Sequence, residues 1–296
     1  MQRRFIFLFN PHSGVQKGKS LAEIITERCQ QAAVHYSIEH SRADGDYSSL
    51  KEKIINESVT DVVIAGGDGT ISTVVAAIKD LPVNIGIIPR GSGNGLALAA
   101  GISKDVNKAI DIIFNGTAHR VDAFVINNHF SCMLSGIGFD AQVAHEFDRE
   151  KKRGLNKYIR LILKNLQRIR TYTFGIKAKE ADLKLRAYFI SIANSNQFGN
   201  QFTIAPKASL QDGLLDIVAV EKTNIFFVLM RILLHIRFGK FTADFTKRRG
   251  ITYFQTAELT ITNTDNAPFH IDGDGKPTAS FFHIKVLPAA YSLLMP

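Results

Sequence analysis

The chain has 296 residues, 45% of them hydrophobic, and carries 36 Lys or Arg against 27 Asp or Glu, a formal net charge of +9. That length supports about two domains with cores of their own, on a prior of ~150 residues each, and excludes a disordered chain or a small disulfide scaffold. Cys29 and Cys132 are the only cysteines, too few for a thiolate metal site and suited to a reducing, cytoplasmic compartment, while the cation excess calls for nucleic acid, an anionic membrane surface or a phosphorylated substrate.

At the N-terminus basic residues precede the apolar run Phe5 to Phe9, in imitation of a secretory signal, but the run is short and Asn10-Pro11 ends it. It reads as a first strand. Through residue 125, short β-branched apolar runs alternate with helical patterns, the mark of an open, largely parallel α/β layer. Strands are expected at 5–9, 62–65 and 84–88, and helices over Lys19 to Val34, Tyr47 to Ser58 and Thr70 to Lys79. Between the first strand and the first helix, Gly14 through Ser20 imitates a phosphate loop one residue short, with Ser13 where its first glycine belongs. Asn10-Pro11-His12-Ser13-Gly14 is still a candidate nucleotide contact.

The strongest local signal is Val62 through Thr70, where a buried strand ends in Gly66-Gly67-Asp68-Gly69 and a helix begins. Glycines let the backbone approach a ligand, and the free N–H groups of a helix start favour an anion such as phosphate. Asp68 reads either as an N-cap or as a group that handles a Mg²⁺ or a proton beside the phosphates. A second turn of the same design, Pro89-Arg90-Gly91-Ser92-Gly93-Asn94-Gly95, follows the next strand and leads into a helical segment, Leu96 to Ala100. Two glycine turns at the carboxyl ends of neighbouring strands would flank one crevice.

From about Arg120 the texture changes to frequent short strands, at 123–127, 187–193, 214–220 and 279–287, which points to a second, mostly antiparallel domain. Gln211-Asp212-Gly213 reads as an ordinary turn. His270-Ile271-Asp272-Gly273-Asp274-Gly275 reads by itself as a hairpin turn carrying two carboxylates; as a calcium loop it fails, because the twelfth position from Asp272 is His283 rather than Glu. The nine histidines show no metal-ligand spacing, and no G-x-S-x-G elbow occurs.

Residues 151–170 hold eight Lys or Arg and no acid, with Leu155, Tyr158, Ile159, Ile162, Leu166 and Ile169 at helical spacing and Lys157, Lys164 and Arg168 off that stripe. Residues 222–249 repeat the theme with seven Lys or Arg and one Asp. Neither segment is long and apolar enough to span a bilayer. Each reads equally as a helix lying on anionic lipid or as a core-facing helix with a solvated basic face. Nucleic acid is set aside, since the cations interleave with aliphatic residues and no zinc finger or RNP motif is present.

Taken together, Asn10-Pro11-x-Ser13-Gly14, Gly66 to Thr70, Pro89-x-Gly91-Ser92-x-Asn94, Gly136-x-Gly138-Phe139-Asp140, Asp212-Gly213-x-Leu215-Asp216 and Ile271-Asp272-Gly273-Asp274 resemble, in order, the motifs of the diacylglycerol kinase catalytic-domain family, which includes bacterial lipid kinases and the sphingosine and ceramide kinases. The resemblance implies an α/β nucleotide-binding domain of the NAD kinase/diacylglycerol kinase kind over 1–125, joined by a returning strand at 289–296. It implies a C-terminal, mostly antiparallel β-sandwich lipid-substrate domain over 126–288, and an active site in the cleft between the two. The implied reaction passes the γ-phosphoryl of ATP, with Mg²⁺, to a lipid hydroxyl at an anionic membrane surface.

By position Asp274 matches the family's general base, where Glu is usual, and Asp68 is placed near the metal or serves as the other candidate base. Nucleotide contacts would come from Asn10, Ser13, Ser41, Gly66, Gly67, Gly69, Thr70 and Ser92. A structural Mg²⁺ would sit on Asp212 with the carbonyls of Ser209 and Leu214. The Gly91-Ser92-Gly93-Asn94 form of the second turn resembles the sphingosine and ceramide kinases, tilting the acceptor toward a sphingoid or other long-chain alcohol. An NAD kinase-like phosphotransferase, or a non-catalytic, nucleotide-responsive membrane-binding protein, stays open as an alternative, as does a homodimer. The expected location is cytoplasmic and peripherally membrane-associated.

Overall fold

The structure, a computed structural model, describes residues 3–9, 19–42, 44–148, 155–197, 204–222 and 250–296. The chain divides into two compact units, residues 1–121 with 289–296 and residues 122–288.

The first unit runs β1 (Arg4–Phe9), α1 (Leu21–Gln31), β2 (His35–His40), α2 (Ser48–Asn56), β3 (Asp61–Gly66), α3 (Asp68–Ile78), β4 (Asn84–Pro89), α4 (Gly95–Ala99), α5 (Val106–Asn115) and the start of β5 (Thr117–Ile126). Its sheet is parallel, in the order β2, β1, β3, β4. The chain's final strand, Phe281–Met295, adds to the far edge through Ser292 opposite Asn84 and Leu293 opposite Ile85. The central strands are buried along their length because helices cover both faces, so β1, β3 and β4 read as unbroken apolar runs. β2 carries His35-Tyr36-Ser37-Ile38-Glu39-His40, exposed at both ends and half-buried between, and as an edge strand it has no apolar run for a pattern search to find.

Two elements differ from expectation in ways that matter for the site. Ser20 caps α1 in a capping box, its hydroxyl accepting from the Glu23 nitrogen at 3.2 Å while Glu23 accepts from the Ser20 nitrogen at 2.6 Å, so the Lys19-Ser20 pair is a helix start. α3 begins at Asp68, two residues before the expected Thr70, which puts Asp68 in its first turn.

The second unit continues with β6 (His129–Ser131), β7 (Leu134–Gly138), α6 (Phe139–Asp148), α7 (Leu155–Asn165), β8 (Tyr172–Ala178), β9 (Asp182–Ala193), β10 (Leu215–Glu221), β11 (Ile251–Thr256), β12 (Glu258–Asn263), β13 (Phe269–Ile271), β14 (Asp274–Lys276) and most of the final strand, β15 (Phe281–Met295). Its described pairings are antiparallel. The long β9 joins two runs: its C-terminal half lies between β7 and β10, and its N-terminal half pairs with β8, which leads to β12 and β15. Alternate residues of these strands, among them Phe124, Ile137, Phe174, Ile190, Ile217 and Phe282, face one apolar core.

α7 is rotated relative to the expected stripe. Among the residues of α7 whose burial is described, Leu161 and Asn165 are buried, whereas Ile159 and Ile162 are half-buried, as is Leu166 just past its end. The reason is polar: Asn165 donates to Glu146 at 3.0 Å and accepts from Gln142 at 2.9 Å, both on α6, a pairing that hydrophobic periodicity cannot register. Leu163, two residues from each seam residue, therefore points away from the protein and is 45% exposed. Residues 223–249, nearly all of the second basic segment, lie outside the described residues. No described helix is long and apolar enough to cross a membrane.

Candidate active site

In the first unit the chain passes from β1 to β2 on one side and to β3 on the other, so the carboxyl ends of β1 and β3 form a switch point where parallel α/β sheets place ligands. Both glycine turns lie at this end, with Gly66 opposite Pro89 in the last register pair of β3 and β4. The Arg90 nitrogen donates to the Gly66 carbonyl at 2.9 Å. Within the second turn, Asn94 adopts φ 54° and clamps Gly91 from both sides, accepting from its nitrogen at 2.7 Å and donating to its carbonyl at 2.8 Å.

Asp68 binds the two turns together. Its carboxylate accepts from the backbone nitrogens of Gly95 at 3.0 Å and Leu96 at 3.1 Å, so it caps α4 rather than its own helix. Burial raises its carboxyl above the ordinary aspartate range, against the opposing pull of those backbone donors. The backbone N–H groups of Asp68 itself and of Asn94 add to those two donors. The first-turn N–H groups of α3 at Gly69 and Thr70 have no partner four residues back, the kind of helix start that favours an anion. Ser92 is exposed on the second turn, and Ser41 follows β2 with its nitrogen bonded to the Phe9 carbonyl at 3.2 Å. Asn10 and Ser13 lie outside the described residues.

In the second unit Asp274 opens β14 directly after a two-residue hairpin turn, and its residue is exposed. Asp272 and Gly273 have φ 50° and 88°, the positive pair that a type I′ turn requires. The turn is held from two sides. The Asp272 carboxylate accepts from the Ser131 hydroxyl at 2.7 Å and the Leu134 nitrogen at 3.1 Å. Buried His270 accepts from the Gly273 nitrogen through Nδ1 at 3.3 Å, which assigns its proton to Nε2, aimed at Asp140 Oδ2 3.4 Å away. Gly136 makes room for that pair, since a Cβ there would stand 1.9 Å from Asp140 Oδ2 and 2.5 Å from His270 Nε2. The separated motifs Gly136 to Asp140 and Ile271 to Asp274 thus form one support for the Asp274 turn.

The 209–214 loop is fastened to Asp122, a buried residue that sequence reasoning missed. Its nitrogen donates to the Leu210 carbonyl at 2.7 Å, its carboxylate accepts from the Gly213 nitrogen at 2.8 Å, and its carbonyl accepts from Asn194 Nδ2 at 2.9 Å. An acid placed just before a wholly apolar strand run was the signal that could have found it. Asp212 is exposed and accepts from the Leu214 nitrogen at 3.1 Å, while the Ser209 hydroxyl accepts from the Gln211 nitrogen at 3.3 Å. No group of three His, Cys, Asp or Glu side chains gathers among the described residues. A site made of Asp212 with the Ser209 and Leu214 carbonyls would be all-oxygen with one carboxylate, chemistry that suits a hard dication retaining water. Next to it, burial pushes the Asp216 carboxyl up, opposed by the Tyr253 hydroxyl and Gln255, with the Asp212 charge adding to the rise.

Comparison with known proteins matches residues 4–126 to the diacylglycerol kinase catalytic domain and residues 134–295 to the YegS C-terminal NAD kinase beta sandwich-like domain. The order of an α/β domain followed by a β-sandwich is the one expected from the motifs. The chain is 23% identical over 291 residues to a diacylglycerol kinase of Staphylococcus carnosus (strain TM300), covering 96% of this chain and 94% of that protein. It is 25% identical over 291 residues to one of Staphylococcus aureus (strain bovine RF122 / ET3-1), covering 96% and 91%. A crystal structure of a diacylglycerol kinase from Bacillus anthracis str. Sterne superposes with a TM-score of 0.74 at 18% identity, covering 99% of this chain and 97% of that one. Another solved chain of the same organism gives 0.83 at 20% with the same coverage. At these identities the structural likeness establishes the fold.

Proposed function

The chain belongs to the diacylglycerol kinase catalytic-domain family, and from that membership we propose that it transfers the γ-phosphoryl group of ATP to the hydroxyl of a neutral membrane lipid, diacylglycerol or a long-chain lipid alcohol. The observation that carries the reading is the pair of glycine turns held together by Asp68 beside the start of α3, at the switch point of a parallel sheet. ATP phosphates would lie on the backbone of Gly66, Gly67, Gly69 and Thr70, with Ser92, Ser41, Asn10 and Ser13 completing the nucleotide contacts. Bound Mg²⁺ would supply charge compensation for the phosphates, and Asp68 would stand near it. A second, structural Mg²⁺ would be held by Asp212 with the carbonyls of Ser209 and Leu214. Asp274 accepts the proton of the acceptor hydroxyl, as a carboxylate fixed on a braced turn can.

Access to lipid would come from α7. Its outward face presents Ile159 and exposed Leu163 between Arg160 and Lys164, apolar side chains flanked by cations, a combination that suits the interface of an anionic bilayer. The association is peripheral. The test is labelled ATP and Mg²⁺ with mixed micelles of diacylglycerols, sphingoid bases, ceramides and undecaprenol, and with NAD in solution. Label in a lipid phosphate is the expected result; label in NAD alone, or in nothing, overturns the reading.

A further inference from the structure

One end of the second unit's sheet gathers more polar structure than the turn and loop described above. β13 and β9 finish there while β7 and β10 begin, so the Asp272 to Asp274 turn, the segment after β9 and the 209–214 loop share that end, with the β9 segment in the middle. By strand spacing the turn and this segment are about 10 Å apart.

The segment is Asn194-Ser195-Asn196-Gln197, and its carboxamides are anomalous. Asn194 is fully buried. Its Nδ2 donates to the Asp122 carbonyl at 2.9 Å and the Cys132 carbonyl at 3.0 Å, which decides the orientation of the amide, because a flipped side chain would set oxygen against two carbonyl oxygens. Oδ1 therefore points the other way, and no hydrogen-bond donor reaches it. Asn196 Oδ1 and Gln197 Oε1 are likewise shut off from solvent without a donor. Buried acceptors left open are rare in folded proteins, and three within four residues are a demand for a ligand that brings O–H or N–H groups. Neutral amide oxygens cannot compensate a phosphate, which is itself an acceptor, and offer a bare dication no charge. They match the hydroxyl of an uncharged headgroup.

We infer that Asn194, Asn196 and Gln197 form the subsite that recognises the hydroxyl-bearing headgroup of the acceptor lipid. The inference rests on the lipid-kinase reading and deepens it: the turn that presents Asp274 and the oxygens that bind the headgroup stand at the same sheet end.

The probes are 1,2-dioctanoylglycerol and the propanediol diester that lacks its free hydroxyl, each in mixed micelles. Binding is measured with wild-type protein, Asn196→Ala, Gln197→Met and the double variant. Wild type should prefer the hydroxyl-bearing lipid by about tenfold or more. The double variant should bring the two lipids within about twofold of each other, with ATP affinity unchanged and a melting temperature equal to or above wild type, since an orphaned oxygen contributes nothing to the unliganded fold. Gln197→Met keeps the side-chain length, so its fold is secure if the double variant's is not. Wild type that phosphorylates dioctanoylglycerol, alongside variants that keep the full discrimination, overturns this inference alone. Wild type that phosphorylates no lipid of the panel overturns the kinase reading and this inference with it.

Discussion

Gly67 and Gly91 meet backbone to backbone: a Cβ built on Gly91 would stand 2.5 Å from the Cα of Gly67, and one on Gly67 would stand 3.1 Å from the Cα of Gly91. Glycine is needed here for closeness of approach, because only without side chains can the two turns come near enough for Asp68 to reach the nitrogens of Gly95 and Leu96. Gly91→Ala must push the turns apart. The expected cost is about 1–3 kcal/mol in stability, the usual range for overpacking, together with a loss of ATP binding larger than the loss of stability explains. Thermal melting and titration calorimetry read the two separately; normal ATP affinity in a folded Gly91→Ala protein would detach the second turn from the nucleotide site.

Burial sets a pH dependence through Asp216. Its folded carboxyl binds its proton more tightly than the unfolded one. As pH rises past the ordinary aspartate value of about 3.9, the unfolded chain releases its proton first, and stability falls until the folded value is passed. Asp216→Asn removes that slope while Tyr253 and Gln255 stay in place. The difference in melting temperature, wild type minus variant, should drop as pH climbs through this window and then level off. A difference that rises with pH contradicts the assignment.

Residues whose role follows from local pattern were legible in the sequence, and those whose role follows from a partner were not. Phe5 to Phe9, Val62 to Ala65 and Asn84 to Ile88 announced strands because burial on both faces demands unbroken apolar runs. Gly66 to Thr70 announced a strand-to-helix glycine turn because its backbone geometry is local. By contrast, β2 is a polar edge, and the seam of α7 turns on Asn165 meeting Gln142 and Glu146. Asp122 acts through residues 72 or more positions away, and His270 reaches Asp140, 130 positions away. No periodicity records such pairings.

The outward face of α7 predicts a salt-sensitive membrane attachment. Arg160 and Lys164 on α7 and Arg168 in the turn just past it are exposed, although Lys164 also reaches Glu146 at 3.3 Å and the Arg168 charge acts on the same carboxylate. Each cation near an anionic surface is worth about 1 kcal/mol, so replacing all three with Ser should weaken vesicle binding by roughly a hundredfold. Leu163→Ser should weaken it without altering the salt dependence, because it removes apolar contact only. Co-sedimentation with vesicles rich in phosphatidylserine, across a salt series, separates the two effects. ATP affinity should stay at the wild-type value, and its loss in the triple variant would move these cations into the nucleotide site.

Asp274 is the residue on which the proposed chemistry turns. It is exposed at the head of β14, and the bonds that fix its turn belong to Asp272 and His270. Asp274→Asn should lower the single-turnover rate by about 10²–10⁴, the usual contribution of a general base, far more than any change in melting temperature accounts for, with ATP affinity at the wild-type value. Asp272→Ala is the complementary case. It removes the acceptor of the Ser131 and Leu134 bonds, so it should loosen the turn, lower the rate and lower stability together, yet leave the pH dependence of the residual activity in place because the base is still present. Asp274→Asn should abolish that dependence. A near-normal single-turnover rate in Asp274→Asn would transfer the role to another group, with Asp68 the remaining candidate from the sequence.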